Sequence, residues 1–188
     1  MEPGYRLIRS RRKTISVEIT EDAQVVVRAP KWSPLYEIEA FVEKNSNWID
    51  SHLKKAKERR GKAALAGMIS ADEWEVLKRE AMAIIPVKVW QYAIILGVDY
   101  GRVSIGNQKT LWGSCSAKGN LSFNRLLMKT PENIQNYVVV HELCHRLEMN
   151  HSKAFWAHVA KLIPDYKQCR KWLREEGTIL MQSARCMQ

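Results

Sequence analysis

The sequence predicts a mixed protein of α-helices and β-strands, with strand-like and helix-like stretches grouped in runs along the chain. Three observations carry this. Residues 14–29 alternate apolar and polar side chains on both sides of a polar turn. Two long stretches, 35–53 and 72–96, keep a helical apolar period. A second pair of strand-like segments lies between residues 103 and 127, and only helical segments follow it.

Residues 14–20 and 25–29 read as a β-hairpin, with 21–24 as its turn and Pro30 as its end. Ser33 as N-cap and Pro34 at the first helical position open a helix. Its apolar positions are Leu35, Ile38, Phe41, Val42, Trp48, Ile49 and Leu53. This helix is expected to stop near Gly61, and residues 61–71, rich in Gly, Ala and Ser, read as a connector. A second long helix is expected from about Asp72 to Leu96, with a kink or break at Pro86 and an end at Gly97. Residues 103–105 and 121–127 read as strands, with Lys118, Gly119 and Asn120 as the turn between them.

Thr130, Pro131 and Glu132 mark another helix start: threonine as N-cap, proline first, glutamate at the positive end of the dipole. Ser152 can cap a further helix carrying Phe155, Trp156, Val159 and Leu162. Pro164 and Asp165 break that helix, and a last one covers about 166–176 before Gly177. The expected division is an N-terminal β-hairpin plus basic helix (1–70), a core (71–177) and a partly disordered tail (178–188). The whole is short enough to form one compact unit.

Apolar residues make up 46% of the 188, and seven are tryptophan, enough for a sizeable core. The net charge is +10 and the pI about 9.6. Basic residues cluster at Arg9, Arg11, Arg12 and Lys13, and again between Lys54 and Lys62. Such clusters attract nucleic acid, acidic lipids or acidic polypeptides, or simply form a solvated helix face and a terminal arm. Neither is interleaved with aromatic residues as a single-strand stacking platform would be. No apolar run approaches the ~18 residues needed to cross a bilayer, and no secretory leader stands at the start, so a cytoplasmic protein is expected. Cys115, Cys144, Cys169 and Cys186 are scattered without a C-x-x-C pair and read as free thiols.

The most informative stretch is 141–151, His-Glu-Leu-Cys-His-Arg-Leu-Glu-Met-Asn-His. On an α-helix His141 and His145 lie one turn apart on one face, so both imidazoles can reach one ion. Glu142 stands beside the first ligand without having to bind, which suits a general base acting on water at the metal. His151 completes the set only if the helix stops soon after His145 and the chain turns back. Three imidazoles leave one position of a tetrahedral zinc site open, the mark of a catalytic site. The apolar run at 137–140 carries the helix into the site from a buried segment. The long zincin motif spaces its ligands the same way but has glycine where this chain has Glu148. The turn must therefore be built differently, with Asn150, which tolerates a left-handed backbone, as the expected helper.

Residues 107–116 (Asn-Gln-Lys-Thr-Leu-Trp-Gly-Ser-Cys-Ser), the motif at 141–145 and the run 149–156 (Met-Asn-His-Ser-Lys-Ala-Phe-Trp) together resemble the YgjP-like metallopeptidase family. That family belongs to the small SprT-like, minigluzincin zinc proteins. The N-terminal hairpin and helix, with Arg28-Ala29-Pro30, are similar to it as well, so the likeness runs from about residue 6 to 177. It implies that His141, His145 and His151 bind zinc and that Glu142 is the catalytic base. It also implies an α+β fold with a zincin-like core in which the active-site helix packs on a small antiparallel sheet. SprT-like relatives act on proteins bound to DNA, so the basic clusters can be imagined placing a protease on its substrate.

Other residues keep two readings each. Trp112 reads mainly as a core anchor, and Gly113 as a point of close backbone approach. Cys115 is not needed as a ligand once three histidines are present, and Cys144 reads as a small buried apolar residue. Asn124 either binds substrate backbone or caps a turn. Tyr166 either donates to a developing oxyanion or is a buried helix-start residue, and His158 is expected to pack rather than ligate. The leading functional expectation is a zinc-dependent peptidase acting on a peptide or protein substrate. The alternative is a nucleic-acid-associated or partner-binding protein in which zinc is mainly structural.

Overall fold

The computed structural model describes residues 4–20, 22–65 and 69–185, which fall into two compact units, residues 1–67 and 68–188. In the first unit, three consecutive valines commit residues 25–27 to a buried strand. Strand β3 (Val25–Pro30) is the centre of a three-stranded sheet, flanked by β1 (Arg6–Ser10) and β2 (Ser16–Ile19). The β2–β3 pair is antiparallel, with Val17 opposite Val27, as the alternation requires. Position 21 of its turn lies outside the described residues, and Ala23 takes a left-handed φ of 57°. Strand β1 runs parallel to β3. It escaped sequence reading because Leu7 and Ile8 stand between arginines and show no alternation.

The helix expected over 35–61 is two helices, α1 (Leu35–Lys44) and α2 (Ser46–Leu65). Asn45 separates them; its amide donates to the Phe41 carbonyl at 2.7 Å, a local bond that competes with the helical ladder. Helix α2 continues through Gly61, whose cost of about 1 kcal/mol is within reach of the surrounding Lys, Arg and Ala residues. Pro34, not Ser33, occupies the N-cap position of α1. The Ser33 carbonyl instead accepts from Arg9, which also donates to the carbonyls of Pro30 and Lys31. One charge of the first basic cluster is thus spent holding its own unit together.

The second unit carries the chemistry. Helix α3 (Ala71–Leu96) starts at Ser70, whose hydroxyl accepts from the Glu73 amide, and not at Asp72. It passes unbroken through Pro86, between the fully buried Ile85 and Val89, and stops at Gly97 with a φ of 65°. Strands β4 (Val103–Gly106), β5 (Gly113–Cys115) and β6 (Leu121–Asn124) form a second sheet in the order β4-β6-β5. The turn at 118–120 joins β5 to β6 in antiparallel register, with Ser114 opposite Ser122. It does not join the strand at 103 to that at 121, which pair in parallel, Ile105 beside Phe123. The α+β class holds, then, with one of the two ladders parallel instead of a wholly antiparallel sheet.

Residues 125–127, read as the end of a strand, belong instead to a 3₁₀ turn (Arg125–Lys129). Helix α4 (Glu132–Cys144) follows with Pro131, not Thr130, at its N-cap position; the Thr130 hydroxyl donates back to the Leu127 carbonyl at 2.8 Å. Then come α5 (Lys153–Leu162), capped by Ser152 as expected, and α6 (Tyr166–Trp172). The chain continues past Gly177 through a π-helical turn (Leu173–Gly177) into α7 (Thr178–Arg185). Gly177 does not terminate a helix: a Cβ there would lie 3.1 Å from the Trp112 ring, so its smallness serves packing. The tail expected to be partly disordered is helical to residue 185, with Met181 and Ala184 buried against Leu77 and Leu126. Residues 186–188, Cys186 among them, lie outside the described part. Among the described residues no helix is long and apolar enough to cross a membrane.

Candidate metal centre

From Tyr137 to Cys144 helix α4 is buried almost all the way round, and such a segment belongs in the core. Tyr137, Val138, Val139, Val140, Leu143 and Cys144 are all buried, packed with Phe123 of β6 and Ile85 and Val89 of α3. The buried lead-in expected from the sequence is therefore present, and it carries the chain to the half-buried His141 and the buried Glu142. His145 is the C-cap residue. Beyond it the Arg146 and Leu147 amides bond to the Leu143 and Cys144 carbonyls, three residues back, which tightens the last turn.

That tight turn replaces the missing glycine. Among the described residues Ala23 alone of the non-glycines has positive φ, so Asn150 does not use a left-handed backbone. Its side-chain oxygen accepts from the Ser152 amide at 3.1 Å, closing a loop that returns His151 to the helix end. Glu148 contributes through its carbonyl, which lies 3.1 Å from His145 Nδ1. A carbonyl only accepts, so that bond places the proton on Nδ1 and leaves the Nε2 lone pair for the site.

The ligand atoms of His141, His145 and His151 lie within 4.8 Å of one another. The Nε2 atoms of His141 and His151 are 3.1 Å apart. A tetrahedral ion with bonds of ~2.0–2.1 Å sets neighbouring nitrogens about 3.3 Å apart, so this spacing suits one shared ion. Phe155, fully buried at the start of α5, forms the floor under all three rings, with centroids 4.9, 4.6 and 4.8 Å away. Tyr137, one turn before His141, brings its hydroxyl to 3.4 Å from His141 Nδ1. Burial, then the charges of His145, His151 and Arg170, hold the His141 pKa down at about 3. Burial also lowers that of His145. Both effects favour the neutral imidazole that a metal requires.

Glu142, the next residue of α4, is 6% exposed. Burial lifts its pKa to about 8. Its partner across the gap is Gly113 of β5: a Cβ built there would lie 2.7 Å from Glu142 Cγ and 2.8 Å from Oε1. The point of close approach expected at Gly113 is thus a contact with the carboxyl arm itself. Burial, followed by the Glu142 charge, raises the pKa of the half-buried Cys115 thiol, which is not part of the three-histidine cluster. Cys144 is a fully buried core residue with its pKa pushed up to about 12, inert as a thiol.

Asn124 is fully buried, and its amide group donates to the carbonyls of Gln108 and Leu111 while its oxygen accepts from the Leu126 amide. These bonds make it the cap of the 108–111 loop and the 3₁₀ turn, not a group facing substrate. Trp112 packs against the two hydrophobic clusters of the second unit, the anchor role expected of it. His158 stands outside the three-histidine group. Tyr166 stacks on Trp156, with centroids 5.1 Å apart and planes 15° off parallel, and Trp156 stacks in turn on His151 at 5.6 Å. Sequence reading missed Tyr137, the floor role of Phe155 and the Trp156 shelf. Tyr137 was findable as the residue one helical turn before a ligand; the others depend on how α5 crosses α4.

On geometry alone His141, His145 and His151 could hold one metal ion, and the buried Glu142 follows the first of them along α4. The chain belongs to the YgjP-like metallopeptidase family: the family model "YgjP-like, metallopeptidase domain" matches residues 13–73 and 67–176. Comparison with curated proteins gives no match. Among solved structures, the chain is similar to the metallopeptidase zymogen abylysin of Pyrococcus abyssi, at 24% identity and a TM-score of 0.45. That match covers 50% of this chain and 96% of abylysin. The metallopeptidase zymogen jannalysin of Methanocaldococcus jannaschii is similar at 19% identity and a TM-score of 0.44, over 49% and 95% of the two chains.

Proposed function

We propose that this protein is a zinc-dependent peptidase in which His141, His145 and His151 hold the ion and Glu142 is the general base. The observation that carries this is the convergence of three imidazoles on one point next to a carboxyl group buried against Gly113. The donor set fits a catalytic zinc site: three imidazole nitrogens, His145 oriented by the Glu148 carbonyl, and no fourth protein ligand among the described residues. Zinc so held supplies a Lewis acid for the substrate carbonyl and acidifies a water molecule.

The chain's own residues do the rest. Glu142, whose pKa burial raises above the usual carboxylate range, accepts the water proton at its carboxylate oxygen and passes it to the leaving amine. The Glu148 carbonyl fixes the His145 tautomer, Tyr137 steadies His141, and Phe155 holds the three rings in place. Gly113 lets the carboxyl arm lie flat against β5. The test is cleavage of an unbiased peptide library by wild type and by Glu142→Gln. Loss of all turnover with zinc still bound supports the assignment; a fully active Glu142→Gln protein removes Glu142 from the mechanism.

A further inference from the structure

Arg170 is an exposed residue on α6 whose guanidinium carbon lies 4.4 Å above the centre of the Trp156 ring. The same ring stacks on His151 and lies 5.8 Å from His141. Among the described residues no carboxylate pairs with Arg170. A guanidinium laid flat on an aromatic face is oriented by it, yet keeps its five N–H donors free along its edge. Lys167 and Arg174, about one turn to either side, are exposed and keep this surface positive.

We propose that Arg170, held on the Trp156 shelf beside His151, binds a carboxylate of the peptide substrate and selects for it. The inference rests on the peptidase reading and adds a substrate class to it. The Trp156 ring is in contact with both the guanidinium and His151. Arg170 therefore stands beside the scissile bond rather than at it, where a carboxylate one or two residues along an extended peptide would sit, at ~3.3–3.6 Å per residue. The planar fork matches a carboxylate with two parallel hydrogen bonds, an arrangement that lysine cannot reproduce. A glutamate or aspartate side chain and a free C-terminus offer the same group.

The test measures binding, so that turnover does not confound it. The probe is a short uncharged peptide blocked at both ends, with glutamate walked through each position, matched glutamine counterparts, and one version with a free C-terminal carboxylate. Affinities for the zinc-loaded full chain carrying Glu142→Gln are compared with and without Arg170→Gln or Arg170→Lys. We expect a carboxylate at one position to improve affinity about tenfold over its amide counterpart. That ratio should fall to about one with Arg170→Gln and only partly recover with Arg170→Lys, while zinc content stays constant. Whether the walked glutamate or the free C-terminus gives the gain identifies the source of the carboxylate. No carboxylate preference at any position, or one that survives Arg170→Gln, overturns the inference. Cleavage that needs zinc and Glu142 but ignores carboxylates sinks this inference alone. Carboxylate-selective binding with no cleavage of any peptide by wild type sinks the peptidase reading alone.

Discussion

Gly113→Ala tests the contact between β5 and the carboxyl arm of Glu142. Gly113 sits in a strand without positive φ, so alanine costs nothing in backbone conformation there. What it adds is one methyl group 2.7 Å from Glu142 Cγ, 2.8 Å from Oε1 and 3.0 Å from Cδ. Carbon atoms rest ~3.5–4.0 Å apart, so the arm must move by about 0.8 Å or more. Glu142 is buried, and its neighbours on α4, Leu143 and Cys144, are fully buried, so the helix cannot yield and the carboxyl group takes the shift. A displacement near 1 Å costs up to about 100-fold in rate, and overpacking costs ~1–3 kcal/mol of stability. The assay is kcat/KM on a cleaved peptide, read beside zinc stoichiometry and thermal unfolding. The expected result is a 10- to 100-fold loss with a full complement of zinc, since the three atoms nearest the new methyl group all belong to Glu142. Unchanged kcat/KM at full zinc occupancy would show that the position of Glu142 does not matter and would refute the reasoning.

Three further outcomes follow from the same geometry. In the metal-free protein, Glu142 has its pKa raised from 4.5 to about 8, so the folded state binds more protons than the unfolded state between those values, and stability falls as pH rises through them. His141, lowered from 6.5 to about 3, acts in the opposite sense but only below 6.5. Chemical denaturation should therefore show a loss of about 2 kcal/mol from pH 6.5 to 8 in wild type and none in Glu142→Gln, and equal slopes would contradict the burial assigned to this carboxyl group. Phe155→Ala removes the floor under three imidazoles: unfolding titrations should show a cost of ~3–5 kcal/mol, and competition with a chelator should show weakened zinc binding. Asn124→Ala breaks three buried hydrogen bonds and should cost several kcal/mol of stability with no change in which peptides are cleaved; a shift in cleavage pattern at unchanged stability would restore a substrate role.

The site was more legible in the chain than the fold around it. The spacing of His141, Glu142 and His145 is a property of any α-helix, so helical periodicity alone placed them. His151 was legible as a requirement, because a third ligand had to return, but the turn that returns it was not. It uses the Glu148 carbonyl and the Asn150 side chain, and backbone acceptors carry no signature in a sequence. Strand partners were hidden for a related reason. The turn at 118–120 fixes its own hairpin locally, whereas the parallel pairing of Val103–Gly106 with Leu121–Asn124 depends on a crossover through the intervening loop and β5. Gly177 misled because a glycine after a helical run ordinarily marks its end; here the contact with Trp112, 65 positions earlier, decides its identity. Asn45 erred in the other direction, splitting one periodic stretch into two helices through a single side-chain bond.

The most direct measurement strips the protein of metal with a chelator and titrates zinc back while following both bound zinc and peptide cleavage. Cleavage should vanish on stripping and return in proportion to zinc, saturating at one ion per chain. It should fail to return in a protein carrying His151→Ala. Cleavage that survives stripping, or zinc that binds one per chain without His141, His145 and His151, would contradict a peptidase built on these three histidines.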